Sequence, residues 1–153
     1  MTGPFPSSEQ SDMGFAPVDM NPRNIVVDAS AVVALVLTRG AVGRKVHALT
    51  DGAYVMAPTM LPFEVTNVIR RQESARLLTH PDAELAWAGL AALDPELWQW
   101  STLAESVWQL RGSITAYDAS YVALAQIMNC PLVTCDARLA AMAPATCQVE
   151  LVQ

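Results

Sequence analysis

Short branched-apolar runs alternate with longer amphipathic stretches along most of this chain. Ile25–Val27, Tyr54–Ala57, Leu97–Trp100, Leu132–Thr134 and Gln148–Val152 read as strands, being short, rich in β-branched and aromatic residues, and bounded by turn formers. Helices are predicted over Ala29–Leu37, Ala41–Thr50, about Met60–Arg76, Asp82–Leu93, Leu103–Leu110, Asp118–Met128 and Ala137–Ala141. In two of them the apolar face is explicit: Leu61, Val65, Val68 and Ile69 in one, Tyr121, Leu124, Ala125 and Met128 in the other. Thr59 is placed to cap the third helix and Pro81 to open the fourth. Asp51-Gly52, Asp94-Pro95 and Arg111-Gly112 supply stops. Strands alternating with one or two helices predict an α/β fold, a mainly parallel sheet with helices on both faces. Ligands of such sheets gather at the carboxyl ends of the strands.

Residues 1–24 break the pattern. They are rich in Pro, Ser, Gly, Asp and Met without any period, which predicts a flexible N-terminal extension ahead of a single domain over 25–153. Met20 is an alternative start for that domain. With 52% hydrophobic and 16% charged residues, the domain can bury a core on both faces of a sheet. No apolar run approaches the ~18 residues of a membrane span, and the N-terminus has no basic start leading into an apolar segment, so neither a membrane nor a secretory route is expected. Three cysteines, Cys130, Cys135 and Cys147, make no disulfide framework and fit reduced thiols in a cytoplasmic protein.

Four acidic residues stand where apolar runs end and helices begin: Asp28 after IVV, Glu64 in LPFEVTNVIRR, Asp118 in TAYDASYVALA, and Asp136 after PLVT. A parallel sheet brings such positions to one edge. Two carboxylates about 4 Å apart repel by roughly 1 kcal/mol in water and about 4 kcal/mol at an effective dielectric near 20. Four together therefore imply raised pKa values or a hard cation. Mg²⁺ or Mn²⁺ is the expectation, one or two ions, because carboxylates, water and phosphate oxygen are what such ions bind. Paired ions clamp the attacking and leaving oxygens of a phosphodiester displacement, so no side-chain nucleophile is required. Ser30 and Thr134, each two residues from an acid, can orient the carboxylates. Glu64, Asn67 and Arg71 fall at i, i+3 and i+7, which gives one helix face a ligand, an amide and an arginine; Arg70 lies beside them for RNA or partner contact. The net charge of −6 weighs against nucleic acid at first sight, but two divalent ions would bring it to about −2.

The segments VVDASAVVALVL, LPFEVTNVIRR, TAYDASYVALAQ and PLVTCDARLA, in this order and spacing, resemble the PIN-domain family, and within it the VapC-type ribonuclease toxins of toxin–antitoxin pairs. The resemblance implies a three-layer α/β/α domain on a roughly five-stranded parallel sheet. It also implies a Mg²⁺- or Mn²⁺-dependent endoribonuclease, RNA as substrate, a homodimer, and a cognate antitoxin that covers the active site. Matched residue by residue, the family's acids fall on Asp28, Glu64, Asp118 and Asp136, and its accessory polar positions on Asn67 and Thr134. The N-terminal extension departs from the family, whose members usually begin just before the first strand.

Simpler readings compete. Asp28, Asp118 and Asp136 are each placed to cap a helix, and Glu64 could pair with Arg70 or Arg71. His47 and His80 read as surface residues, and the four tryptophans as core or subunit-contact residues. Receiver domains and haloacid-dehalogenase-type phosphatases also carry an aspartate after the first strand. Both need a lysine late in the sheet, whereas the lone lysine here is Lys45; the phosphatases need a second aspartate where Ser30 stands. The rival of a different class is a catalytically silent PIN-like module that binds RNA or protein. All four acids being present argues for the enzyme.

Overall fold

The computed structural model describes residues 22–37 and 40–153. The expected extension over 1–24 therefore lies, up to residue 21, outside the described residues. Strand β1 (Asn24–Val27) starts one residue earlier than its apolar run, and its Ile25, Val26 and Val27 are wholly buried. This is the centre of the sheet. Parallel neighbours are β2 (Tyr54–Pro58) on one side and β4 (Leu132–Thr134) on the other, with β3 (Glu96–Trp98) and β5 (Val149–Leu151) at the edges. All four pairings are parallel and the order is β3-β2-β1-β4-β5.

That order dictates the layers. The chain moves outward from β1 through β2 to β3, then crosses back to β4 and on to β5. Right-handed crossovers assign the connections before β3 to one face and those after it to the other. The first group is α1 (Ala29–Leu37), α2 (Ala41–Thr50), α3 (Leu61–Ser74) and α4 (His80–Leu93), which pack on one another through α1 and α3. The second is α5 (Trp100–Leu110), α6 (Ala116–Met128) and α7 (Ala137–Met142); α6 lies on β1, β2 and β4 and carries α5 on its outer side. Residues Ala119 to Ala125 of α6 are all buried. The small side chains of Ala119, Ser120, Ala123 and Ala125 let that helix lie close between the sheet and α5. The three-layer α/β/α expectation holds, and the strand order reverses between β1 and β4. Such a switch point opens a crevice at the strands' carboxyl ends.

Local departures from the predicted elements have local causes. Thr59 does not cap α3; the N-cap is Met60, without a side-chain bond, and the Thr59 amide instead donates to the Trp98 carbonyl. Helix α4 opens at His80, ahead of Pro81, because the Thr79 hydroxyl accepts from the Asp82 amide. Helix α6 likewise begins before Asp118: the Thr115 hydroxyl accepts from the Asp118 amide, the N-cap bond, and donates to the Asp118 carboxylate. Trp100 opens α5 instead of closing β3. Gly52, at φ +68°, sits in the turn that ends α2, and Asn129 adopts the left-handed conformation that closes α6. Trp87, Trp100 and Trp108 are 55%, 62% and 62% exposed, which corrects the core role for these three and leaves a subunit contact open to them. Trp98 packs against the core, and its indole N–H has no hydrogen-bond partner among the described residues.

Candidate active site

At the switch point Asp28 directly follows β1 and Thr134 closes β4. Their turns are stitched together. The Asp28 amide donates to the Val133 carbonyl at 3.2 Å, the Cys135 amide to Ser30 Oγ at 2.9 Å, and the Asp136 amide to Thr134 Oγ1 at 2.9 Å. Asp28 is 5% exposed, and three donors hold its carboxylate: Ser30 Oγ at 2.7 Å and the Ala31 amide at 2.9 Å on Oδ1, Thr134 Oγ1 at 2.6 Å on Oδ2. A hydroxyl has one proton to give. Both Ser30 and Thr134 spend theirs on Asp28, so their 3.2 Å separation follows from a shared acceptor. Of roughly four acceptor positions on a carboxylate, one on Oδ2 stays open among the described residues. Burial pushes the Asp28 carboxyl above its ordinary pKa; the bonds from Thr134, Ala31 and Ser30 oppose that, and the charge of Asp136 adds to it.

Glu64 enters from the first turn of α3, the helix that follows β2. Its partner is neither Arg70 nor Arg71, which lie exposed, but Tyr121 of α6, whose hydroxyl donates to Glu64 Oε2. Burial raises the Glu64 pKa first, with Asp28 and Asp118 contributing by charge repulsion against the Tyr121 bond. Burial also pushes the Tyr121 phenol up, so it remains a neutral donor. Asp118 and Asp136 share a cation. Arg138 Nη2 lies 3.0 Å from Asp118 Oδ2 and 3.2 Å from Asp136 Oδ2. Asp136 also caps α7, its Oδ1 accepting from the amides of Arg138 (2.8 Å) and Leu139 (3.2 Å).

The structure thus links the four predicted acids pairwise: charge couples Asp28 to Asp136 and Glu64 to Asp28 and Asp118, Arg138 joins Asp118 to Asp136, and Ser30 and Thr134 bond Asp28. It does not bring in Asn67, which is exposed on α3 with no hydrogen bond to the acids among the described residues. The capping readings of Asp28 and Asp136 are also correct as local descriptions, since each carboxylate accepts from a helix N-terminal amide; Asp118 does not cap α6, whose N-cap is Thr115. Capping accounts for neither the burial of Asp28 nor the tie between Glu64 and Tyr121. Two participants escaped the sequence reading. Tyr121 counted there as an apolar-face residue of α6, and Arg138 of PLVTCDARLA was not singled out. The i, i+3 spacing of Asp118 and Tyr121 on one helix was the available signal.

All the donors are hard oxygens, and Asp28 and Glu64 are destabilised as anions by burial and by the charges of neighbouring acids, Asp136 for the one and Asp28 and Asp118 for the other, so the residues present fit a hard divalent cation. Among the described residues no three carboxylate, imidazole or thiol side chains yet close on one point; Arg138 compensates the charge of two of the four. No described helix is long and apolar enough to cross a membrane.

The sequence profile of the PIN domain matches residues 25–144. The chain belongs to the PIN-domain family. Among its PIN-domain relatives are ribonuclease VapC1 of Mycobacterium tuberculosis, 37% identical over 129 residues that cover 84% of this chain and 97% of that protein, and ribonuclease VapC12 of the same species, 35% identical over 128 residues covering 84% and 98%. Solved PIN-domain neighbours include VapBC2 of Rickettsia felis bound to a promoter DNA fragment (TM-score 0.62, 11% identity, covering 85% of this chain and 99% of that one). VapC20 of M. tuberculosis, a sarcin–ricin loop cleaving toxin, superposes with a TM-score of 0.59 at 18% identity, over 81% and 98% of the two chains. At those identities the neighbours establish the fold.

Proposed function

We propose that this PIN-domain chain is a metal-dependent endoribonuclease, the VapC-type toxin of a toxin–antitoxin pair, acting in the cytoplasm on RNA phosphodiesters. The observation that carries the reading is Asp28, a buried carboxylate at the sheet's switch point with three donors on it among the described residues and the charges of Asp136 and Glu64 close enough to act on it or feel it. The relatives named ribonuclease VapC, matched over nearly their whole lengths, support the substrate class.

Asp28, Glu64, Asp118 and Asp136 would hold the ion or ions. A bound Mg²⁺ or Mn²⁺ supplies Lewis acidity toward the phosphoryl oxygens and lowers the pKa of water. The chain's own residues prepare the place. Ser30 and Thr134 lock Asp28 in one rotamer, so its open lone pair has a set direction. Tyr121 does the same for Glu64. The Asp136 carboxylate is pinned through Oδ1, which leaves Oδ2, the atom Arg138 holds, to face the site. Arg70 and Arg71, exposed on the helix that carries Glu64, are placed to meet substrate phosphate or an acidic partner segment, and exposed Asn67 can join them at the substrate's edge.

A cognate antitoxin and a second copy of the chain are the proposed partners. Both need exposed apolar area, which Phe63, Trp87, Trp100 and Trp108 supply. The test is cleavage of a generic RNA by antitoxin-free protein with Mg²⁺ or Mn²⁺. Cleavage should vanish with EDTA and in Asp28→Ala. Metal binding without cleavage by the pure parent chain would instead identify a silent binding module.

A further inference from the structure

We propose that Arg138 is the resident counter-cation of the acidic site, which a divalent ion must displace from Asp136 and Asp118 in order to bind, so that Arg138 sets the metal affinity; the inference rests on the metal-centre reading above. A single nitrogen, Nη2, spans the two carboxylates at 3.0 and 3.2 Å. This differs from the usual two-pronged grip of a guanidinium on one carboxylate. It uses the two protons of that nitrogen to do what a metal ion between the acids would do.

The two occupants exclude each other. A divalent ion at about 2.1 Å from these oxygens and a guanidinium nitrogen at 3.0 and 3.2 Å from them would put two cations within about 4 Å of each other on the same lone pairs, so charge repulsion sets one against the other. Asp136 has no second oxygen to offer, because Oδ1 is committed to the amides of Arg138 and Leu139 at the start of α7. Oδ2 is therefore the metal-facing atom, and Arg138 now holds it. Asp118 Oδ2 is likewise occupied, by Thr115 and Arg138 together. The Arg138 side chain is 55% exposed, so it can swing into solvent without breaking packing. Once released it stays at the rim of the site, tethered two residues from Asp136.

The device has a consequence for the metal-free chain. Asp118 on α6 and Asp136 at the head of α7 are held together by Arg138, so the carboxylates stay oriented toward one another before any ion arrives.

The experiment is calorimetric titration of Mn²⁺ into the full-length chain and its Arg138→Gln, Arg138→Lys and Asp28→Asn variants, with circular dichroism to confirm folding. Arg138→Gln should bind Mn²⁺ roughly five- to tenfold more tightly than the parent, the scale of two exposed ion pairs no longer lost on binding. Arg138→Lys should fall between the two. A second reading needs no variant: in ¹⁵N NMR of the parent chain, Mg²⁺ should shift the Arg138 Nε–H resonance as the guanidinium leaves the acids. If the parent binds Mn²⁺ in a manner that Asp28→Asn abolishes, yet Arg138→Gln binds no more tightly or the resonance stays fixed while Mg²⁺ binds, the role given to Arg138 is overturned and the metal centre stands. If the parent shows no Asp28-dependent Mn²⁺ binding, the metal centre itself fails, and this proposal with it.

Discussion

Thr134→Val asks whether the buried Asp28 is organised as described. The substitution keeps the side chain's shape in a fully buried position of β4 and removes one oxygen. That oxygen donates to Asp28 Oδ2 at 2.6 Å and accepts from the Asp136 amide at 2.9 Å. A hydrogen bond to an ionised group contributes about 1.5–3 kcal/mol, and an amide left unpaired in partial burial adds to the loss, giving about 2–4 kcal/mol in all. For a chain of this size each kcal/mol moves the melting point by about 2–4 °C, so Tm should drop by roughly 4–16 °C. The pH dependence has a definite sign. Burial already raises the folded pKa of Asp28 above its unfolded value of 3.8, and the Thr134 bond opposes that rise. Without the bond the folded pKa climbs further. A carboxylate with a raised folded pKa costs stability where it is ionised and nothing below its unfolded value. The deficit should therefore be largest near neutral pH and shrink as the pH falls through the folded pKa toward 3.8. Urea denaturation of metal-free protein near neutral pH and again at about pH 4.5 measures both quantities. A deficit below about 0.5 kcal/mol, the scatter of inconsequential substitutions, or an equal deficit at both pH values, would refute the account of Asp28.

Three other outcomes follow from the same geometry. Tyr121→Phe should leave the fold intact, because the ring stays packed, yet weaken Mn²⁺ binding roughly tenfold, as the loss of a ligand-orienting bond commonly does; calorimetry reads this, and unchanged affinity would detach Tyr121 from the site. Because burial raises both Asp28 and Glu64, and ligands must shed protons to bind metal, Mn²⁺ affinity should begin to fall on acidification at a pH above that of ordinary carboxylates; a decline confined to the usual carboxylate range would count against a shared field. Thr79→Ala removes the cap of α4 and should lower stability by about 1 kcal/mol in chemical denaturation while RNA cleavage per folded molecule stays at the parental rate.

Periodicity along the chain was sufficient for the alternation of strands and helices, since both depend on near neighbours: α1 and α2 begin and end where their apolar runs do, and β4 spans its three branched residues. The four acids were legible for the same reason, each following an apolar strand or opening a helix. Boundaries set by a single hydrogen bond were less so. Thr59 and Thr79 look alike as caps in the sequence, and the difference lies in the Trp98 carbonyl that takes the Thr59 amide from 39 residues away. Long-range partners were beyond reach altogether. Nothing near Glu64 points to Tyr121, 57 positions on, and nothing in PLVTCDARLA shows that Arg138 will bridge to Asp118 on another helix. Those pairs arise because the reversal of strand order between β1 and β4 lays α3, α6 and α7 around one crevice, and a chain's order in space is set by the packing of whole layers, which no local pattern encodes.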